Sequence, residues 1–275
     1  MSVHAEGSTM SISTTSTMQI ERQEPAAGGI VTGLDVAQLD DTTFAAVHAA
    51  FLEHHVLCIR GQDLTPVEQL AYAARWGRIS HHPYVPSLDG HPGIMEIFQV
   101  TGITETWHAD TTHVANPPKI TMLLARELPD NGGDTMFANM HFAYDGMSDG
   151  LRTTVDALRG VHYGTELAAQ AGVERAAVTH SHPVAINHPE TGRKTLFVND
   201  NYVRHFDGWT EAESRPLLEH LYSLAGMPEY QYRHRWQVGD LVMWENRSVQ
   251  HRVVHDYGDA RRYLHRVTLE GDPFE

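Results

Sequence analysis

The chain has 275 residues, with 20 Lys and Arg against 35 Asp and Glu, giving a formal net charge of −15; it also carries 20 His and one Cys. That balance argues against a nucleic-acid partner, because neutralising a phosphate backbone needs clustered cations. No run of about 18 apolar residues offers a membrane span, and a single Cys excludes a disulfide framework or a Cys-rich zinc site.

Residues 1–18 read as a disordered leader rich in Ser, Thr and Met. They have no basic segment followed by an apolar one, so no secretory signal is expected and a reducing cytoplasm fits. From Gly28, GGIVTGLDV reads as a strand. Asp41 then caps a helix whose Phe44, Val47, His48 and Phe51 recur at helical spacing up to about His54. Val56 to Arg60 is a short buried strand containing Cys58. Thr65-Pro66-Val67-Glu68 carries a capping Thr, Pro at the first helical position and Glu at the third, opening a second helix to about Trp76. Beyond it the texture turns to short strands broken by Gly, Pro, Asn and Asp, at 94–99, 120–126, 135–139, 161–165, 182–187 and 194–199. The last two form a hairpin across Pro189 to Arg193. Residues 166–181, small and polar with poor periodicity, read equally as a lid or a surface loop. Thr210 with Glu213 opens an amphipathic helix through Leu217, Leu218, Leu221 and Leu224, and strands at 230–236, 240–244 and 261–269 close the chain. With no repeat and no linker, residues 19–275 are expected to form one domain, mainly β with flanking helices.

Three features carry chemistry. In Trp107-His108-Ala109-Asp110, residues two apart on an extended chain point the same way, so His108 and Asp110 can hold one ion together. With a distant second His they make the facial triad that binds ferrous iron and leaves three positions open. A lone His-x-Asp is common by chance, but His251 lies 143 residues on, just past the apolar strand Leu241 to Trp244, where that strand should have ended. In RRYLHRVTL, alternation puts Arg262, Leu264, Arg266 and Thr268 on one face. A guanidinium turned inward needs an anion, and its planar fork suits a carboxylate or a sulfonate. Gly132-Gly133-Asp134-Thr135 lets backbone approach a ligand and offers a hydroxyl.

In order and spacing, TGLDVAQLDD, HHVLCIRGQDLTPVEQLAYAARWG, WHADTTHVANPPK, GGDTMFAN, WENRSVQHRVVHDY and RRYLHRVTLEGDPF resemble the taurine dioxygenase family of iron(II)- and 2-oxoglutarate-dependent oxygenases, from about Gln19 to Phe274. The resemblance implies a double-stranded β-helix (jelly-roll, cupin-like) core, and iron on His108, Asp110 and His251. It implies 2-oxoglutarate held at its distal carboxylate by Arg262 with Thr135, O2 as oxidant, and an anionic substrate group on Arg266 assisted by His82. Dimers or tetramers are implied by the same likeness. Two positions depart from the taurine-specific pattern: Thr104 replaces an Asn four residues before the first ligand, and Val85 replaces a Tyr three residues after His82. Both lie at the substrate end, so the expected substrate is a small organic anion not restricted to taurine.

The expected reaction hydroxylates a sulfonate, sulfate ester or carboxylate with release of succinate and CO2, followed by bond cleavage where the hydroxylated carbon bears a leaving oxygen or sulfur. Other readings are a biosynthetic oxygenase acting on a carboxylated amino-acid-like intermediate, a zinc hydrolase using the same three ligands, and a non-catalytic cupin-like binding protein. Trp107 is expected to pack. Tyr230, Tyr232 and Trp236 are expected on one core-facing strand face. His113, His141, His162, His188, His234, His255 and His265 are read as surface, packing or supporting residues, with His265 directed away from the barrel interior.

Overall fold

The computed structural model describes residues 18–24, 26–81, 86–98, 103–164 and 178–274. Its largest sheet has eight strands, in the order Gln19–Arg22, Gly29–Thr32, Val56–Ile59, Leu241–Glu245, Ile120–Glu127, Tyr263–Leu269, His91–Ile97 and Ser87–Leu88. All neighbours are antiparallel except Gly29–Thr32 with Val56–Ile59. Its central strands read as continuous apolar runs because both faces are covered. One face turns Leu57, Ile59, Met122, Leu124, Leu241, Met243, Val267 and Leu269 onto Phe51, Tyr72 and Trp76 of two helices, Asp41–His54 and Pro66–Trp76. The alternate residues, Val56, Cys58, Leu123, Ala125, Val242, Trp244 and Leu264, point the other way and meet Phe137, Tyr232 and Val249. Those three belong to a smaller sheet in which Thr135–Asn139 lies between Gln231–His234 and Val249–Val253. Each large side chain closed into this interior contributes about 1.5–3 kcal/mol.

Behind the small sheet, Ala138 and Met140 pack with Leu218 and Leu221 of helix Glu211–Ser223. That helix and Pro66–Trp76 both begin with complete capping boxes, Thr210 with Glu213 and Thr65 with Glu68. The first helix is capped by Asp40, whose carboxylate accepts from Thr43 N–H at 2.7 Å, one residue earlier than expected.

Several elements differ from the sequence-based expectation. Two helices, Met140–Asp145 and Asp149–Asp156, and four strands, Gln19–Arg22, Ser87–Leu88, Val203–Phe206 and Val249–Val253, are not expected from the sequence; each is short, and pairing or packing rather than a long periodic pattern holds it. The strand expected at 182–187 splits at Val184 into Thr179–Pro183 and Ala185–Asn187. Thr179–Pro183 pairs with Arg159–Tyr163, so the end of the segment 166–181, read equally as a lid or a loop, is strand, and its residues 166–177 lie outside the described part. Tyr230, Tyr232 and Trp236 do not share one face: Tyr232 and Trp236 adjoin the interior cluster, Tyr230 the cluster behind the small sheet, and the strand ends at His234.

Candidate metal and cosubstrate site

His108 and His251 are neighbours through their backbones: His108 N–H donates to His251 O at 3.1 Å, and His251 N–H to His108 O at 2.8 Å. His251 does not follow a strand end; it sits in the middle of its own strand, Val249–Val253, opposite Phe137. The turn between Leu241–Glu245 and Val249–Val253 carries the chain from one sheet to the other, which is why the apolar run stops before His251 while the extended backbone resumes. The two imidazole centroids are 4.2 Å apart. Asp110 Oδ1 lies 4.0 Å from His108 Nε2 and 3.7 Å from His251 Nε2. All three side chains are buried, with one ligand atom from each within 4.8 Å of the others. Directly after Asp110 the chain turns through Thr111 at φ 43°, a left-handed backbone that costs a β-branched residue about 1–3 kcal/mol.

His108 and Asp110 are oriented by further hydrogen bonds, whereas His251 Nδ1 is buried without a hydrogen-bond partner. His108 Nδ1 donates to Thr106 O at 2.8 Å, leaving Nε2 with its lone pair. The Thr106 hydroxyl is itself paired with Asn201. On Asp110, both the Thr121 hydroxyl, at 2.6 Å, and Arg266 Nη2, at 2.8 Å, engage Oδ2. Oδ1 is left facing the imidazoles, an arrangement for one-oxygen ligation. The direction of the Thr121 hydrogen bond is forced. Trp244 Nε1, which can only donate, gives its proton to Asn246 Oδ1 at 3.0 Å; Asn246 Nδ2 then donates to Thr121 Oγ1 at 2.9 Å, and Thr121 directs its own proton to Asp110.

Burial disfavours charge on Asp110, but Arg266, His251, His108 and the Thr121 hydrogen bond outweigh it and hold the carboxyl well below the usual carboxylate range. Burial, reinforced by the adjacent His108, takes His251 down to about 3, and burial lowers His108 as well. At neutral pH the cluster is one carboxylate and two neutral imidazoles, the protonation state that metal binding requires. A donor set of two His and one carboxylate suits ferrous iron with open positions.

Arg262, directly before the strand Tyr263–Leu269 that carries Arg266, is 2% exposed. Its Nε donates to Gly133 O at 3.1 Å, and its guanidinium carbon lies 5.6 Å from the centroid of the Trp236 ring. Nη2 is buried without a hydrogen-bond partner, and among the described residues Arg262 has no ion pair. Burial pulls it down to about 10, opposed by Tyr257 and Asp134, so it remains charged at neutral pH. Gly133 permits the approach: its φ is +73°, and a Cβ there would stand 3.2 Å from Arg262 Cδ. Thr135, 1% exposed, alternates onto the same sheet face as Phe137, the residue opposite His251, and its Oγ1 accepts from Trp236 Nε1 at 3.0 Å.

Arg266 reaches Asp110, as described, and its Nε donates to Thr268 Oγ1 at 3.2 Å. His265, on the opposite face, meets the Tyr263 hydroxyl at 2.8 Å. Thr104 lies in the short helical turn Ile103–Glu105 and is half-buried. His82 and Val85 lie outside the described residues. Trp107 packs against the cluster behind the small sheet, with the Arg252 guanidinium 5.3 Å from its ring centroid. Both line a groove of about 710 Å³ with Gln250 and Tyr222; Gln250 and Arg252 alternate with His251, so this groove lies on the far side of the strand from the His251 side chain.

Residues 19–268 match the family described as taurine catabolism dioxygenase TauD, TfdA. The chain belongs to this family. Among similar proteins, an alkylsulfatase of Acinetobacter baylyi is 35% identical over 94% of this chain and 86% of its own length. A Pseudomonas putida protein named alpha-ketoglutarate-dependent sulfate ester dioxygenase is 32% identical over 90% and 89%. The crystal structure of a taurine dioxygenase from Burkholderia xenovorans has a TM-score of 0.84 at 32% identity, covering 94% of this chain and 92% of that one. The TauD, TfdA family member described here therefore has a jelly-roll core and is a 2-oxoglutarate-dependent dioxygenase, an oxidoreductase. No helix among its described residues is long and apolar enough to cross a membrane.

Sequence reasoning missed Thr121, Asn246 and Trp236. Thr121 was signalled faintly, as a polar residue in an otherwise apolar buried strand start, Ile120-Thr121-Met122-Leu123. Asn246 stood inside WENRSVQH without a role, and Trp236 was read as core. Of the seven histidines read as surface, packing or supporting residues, six are buried, His113, His141, His162, His188, His234 and His265, and His255 is half-buried.

Proposed function

We propose that this dioxygenase binds ferrous iron through His108, Asp110 and His251, holds the distal carboxylate of 2-oxoglutarate on Arg262 and Thr135, and oxidises a small organic sulfate ester at the carbon bearing the ester oxygen. The observation that carries the reading is Arg262: a buried guanidinium with an unpartnered Nη2 and no ion pair among the described residues, set against the same Trp236 indole that donates to the Thr135 hydroxyl, in a chain that also holds a buried two-His, one-carboxylate cluster. A buried cation left in that state is costly, and a dicarboxylate cosubstrate supplies the missing anion. A hydrolase using the same three ligands has no need of this second cation.

When bound, the iron supplies the centre at which O2 is reduced as 2-oxoglutarate decarboxylates to succinate and CO2, one oxygen atom going to a substrate C–H bond. The chain's own residues do the positioning. Asp110, tied at Oδ2 by Thr121 and Arg266, offers one oxygen rather than two, which keeps further positions open for ligands. Thr106 O keeps the His108 proton on Nδ1. Arg262 and Thr135 set the depth of the cosubstrate. Arg266 stands at the cluster with Nη2 on Asp110 and Nε on Thr268, and offers its other terminal nitrogen to a substrate anion. A hydroxyl placed on the carbon next to a sulfate oxygen makes a hemiacetal-like sulfate, which loses hydrogen sulfate and leaves an aldehyde. A sulfate ester is preferred because two of the similar proteins bear names for that chemistry.

Succinate, sulfate and aldehyde are to be measured with a panel of alkyl sulfates, taurine and other sulfonates, and aryloxyalkanoates. Sulfate release equimolar with succinate from an alkyl sulfate is the expected result. Succinate release no greater with any alkyl sulfate than without substrate refutes the substrate assignment. Arg266→Ala should weaken substrate binding while sparing slow substrate-free turnover of 2-oxoglutarate, whereas His108→Ala should abolish both. Anaerobic addition of iron(II) and 2-oxoglutarate should give a visible charge-transfer band, which neither a zinc hydrolase nor a non-catalytic binding protein would produce.

A further inference from the structure

The proposed cosubstrate pocket is backed by a group of buried polar side chains that the chemistry above does not use. His234, Asp240, Tyr232 and Cys58 are all buried between the two sheets. The Tyr232 hydroxyl lies 2.9 Å from His234 Nδ1, and His234 Nε2 lies 3.1 Å from Asp240 Oδ2. Since Asp240 also accepts from Gln237 N–H at 2.9 Å and is paired with Arg60 at 3.2 Å, it acts as the acceptor for His234 Nε2–H. The Tyr232 hydroxyl closes the chain at Nδ1. The imidazole is thus held at both ends, and its ring meets the Trp236 indole edge-on, with centroids 4.8 Å apart and planes at 90°. The indole in turn carries the Arg262 guanidinium against its ring and donates Nε1–H to Thr135 Oγ1.

The chemistry of the indole gives that last bond its meaning. An indole N–H donates and never accepts, so the Thr135 oxygen must accept from it, and the rotatable hydroxyl proton is driven away from Trp236. Without the indole, the hydroxyl proton can turn toward position 236; with it, one oxygen lone pair is taken and the proton is left to point elsewhere, available to a ligand acceptor. A ligand carboxylate accepts only. We propose that Trp236 is a positioning residue that presets Thr135 as a hydrogen-bond donor and seats Arg262, so that the pocket selects 2-oxo acids carrying a distal carboxylate. The buried Tyr232–His234–Asp240 chain holds the indole in place. This inference rests on the assignment of Arg262 and Thr135 to the distal carboxylate.

The test compares binding, not turnover, of two 2-oxo acids under anaerobic conditions with iron(II), by titrating the visible absorption change or the heat: 2-oxoglutarate, which has the distal carboxylate, and 2-oxobutyrate, which lacks it. Trp236→Phe keeps an aromatic face for Arg262 and removes the N–H. It should weaken 2-oxoglutarate about tenfold, the equivalent of one hydrogen bond to a charged group, and leave 2-oxobutyrate unchanged. In a Thr135→Val background the same substitution should cost no further affinity for 2-oxoglutarate, because the preset hydroxyl is already gone. Unchanged 2-oxoglutarate binding in Trp236→Phe, an equal loss for both acids, or an undiminished loss in the Thr135→Val background each overturns the proposal. Arg262→Met separates the two levels: if it weakens 2-oxoglutarate no more than 2-oxobutyrate, the pocket assignment itself fails. If Arg262→Met is selective and Trp236→Phe is not, only the role of Trp236 falls. Misfolding of Trp236→Phe appears as a lowered unfolding midpoint of the metal-free protein, in which case Trp236→His, which retains a ring N–H, must restore selectivity for the proposal to stand.

Discussion

Replacing Thr121 by Val keeps the shape of the side chain and removes one proton and one oxygen from the support of Asp110. The lost bond is a 2.6 Å hydroxyl-to-carboxylate contact in a buried setting. Bonds of that charge-assisted kind contribute about 1.5–3 kcal/mol. The substitution also strands Asn246 Nδ2, whose acceptor is Thr121 Oγ1, so a buried donor goes unsatisfied as well. Arg266 keeps its 2.8 Å contact with Oδ2, so the carboxylate remains charged but loses one of the two anchors that turn Oδ1 toward the imidazoles. The expected consequence is a metal affinity lowered about 10- to 100-fold, the range typical of losing a partner that orients a ligand, and a metal-free protein less stable by about 2–3 kcal/mol. Calorimetric titration with cobalt(II) gives the first quantity, and urea unfolding of the metal-free chain the second. Metal affinity within about twofold of the parent, or tighter, alongside the loss of stability would refute the reasoning, since Thr121 would then serve packing alone.

Two further outcomes follow from buried groups away from the ligands. Arg247 and Glu245, 4% and 2% exposed, make two bonds of 2.7 and 2.6 Å within the turn that carries Asn246 and leads to His251. Arg247→Met leaves Glu245 charged and buried and should cost about 3–5 kcal/mol in urea unfolding, much of it regained when Glu245→Leu is added; a loss below 1 kcal/mol contradicts the assignment. Stability should also fall on mild acidification. Burial, with His141 nearby, takes His55 down to about 3, and burial takes His141 down to about 4. The unfolded chain protonates these groups near 6.5, so it binds more protons than the folded chain below that pH. Their contribution is complete above about pH 6.5 and declines by about 1.4 kcal/mol per pH unit for each histidine as the pH falls toward the folded values. Urea midpoints between pH 7.5 and 5 should show a slope in this direction, to which the buried His162, His182 and His251 add, and His55→Gln should reduce it by one histidine's share, up to about 1.4 kcal/mol per pH unit; an identical slope in the variant counts against the account.

The local chemistry of the chain was enough to place much of this. Capping boxes at Thr65 and Thr210 mark helix starts because the Thr–Glu reciprocity lies within four residues. The separation of Arg262 and Arg266 from His265 follows from the two-residue period of a strand, and His108 with Asp110 from the same period. Buried strands such as Val56–Ile59 and Leu241–Glu245 declare themselves as apolar runs.

What required the tertiary structure was every relation between segments far apart in the chain. His251 meets His108 only because the strand Val249–Val253 pairs across the small sheet and bridges to the loop before Asp110. The strand was invisible because its residues, Val-Gln-His-Arg-Val, alternate between the metal cluster and a polar groove, so no apolar pattern marks it. Strand alternation turns both arginines inward, where a guanidinium needs an anion; only the packing decides that Arg266 finds one in Asp110 whereas Arg262 finds none among the described residues. Periodicity is a property of neighbours along the chain, and it sets which way a side chain points. The partner a side chain meets depends on register and closure between sheets, and these are fixed by the burial of the whole interior at once.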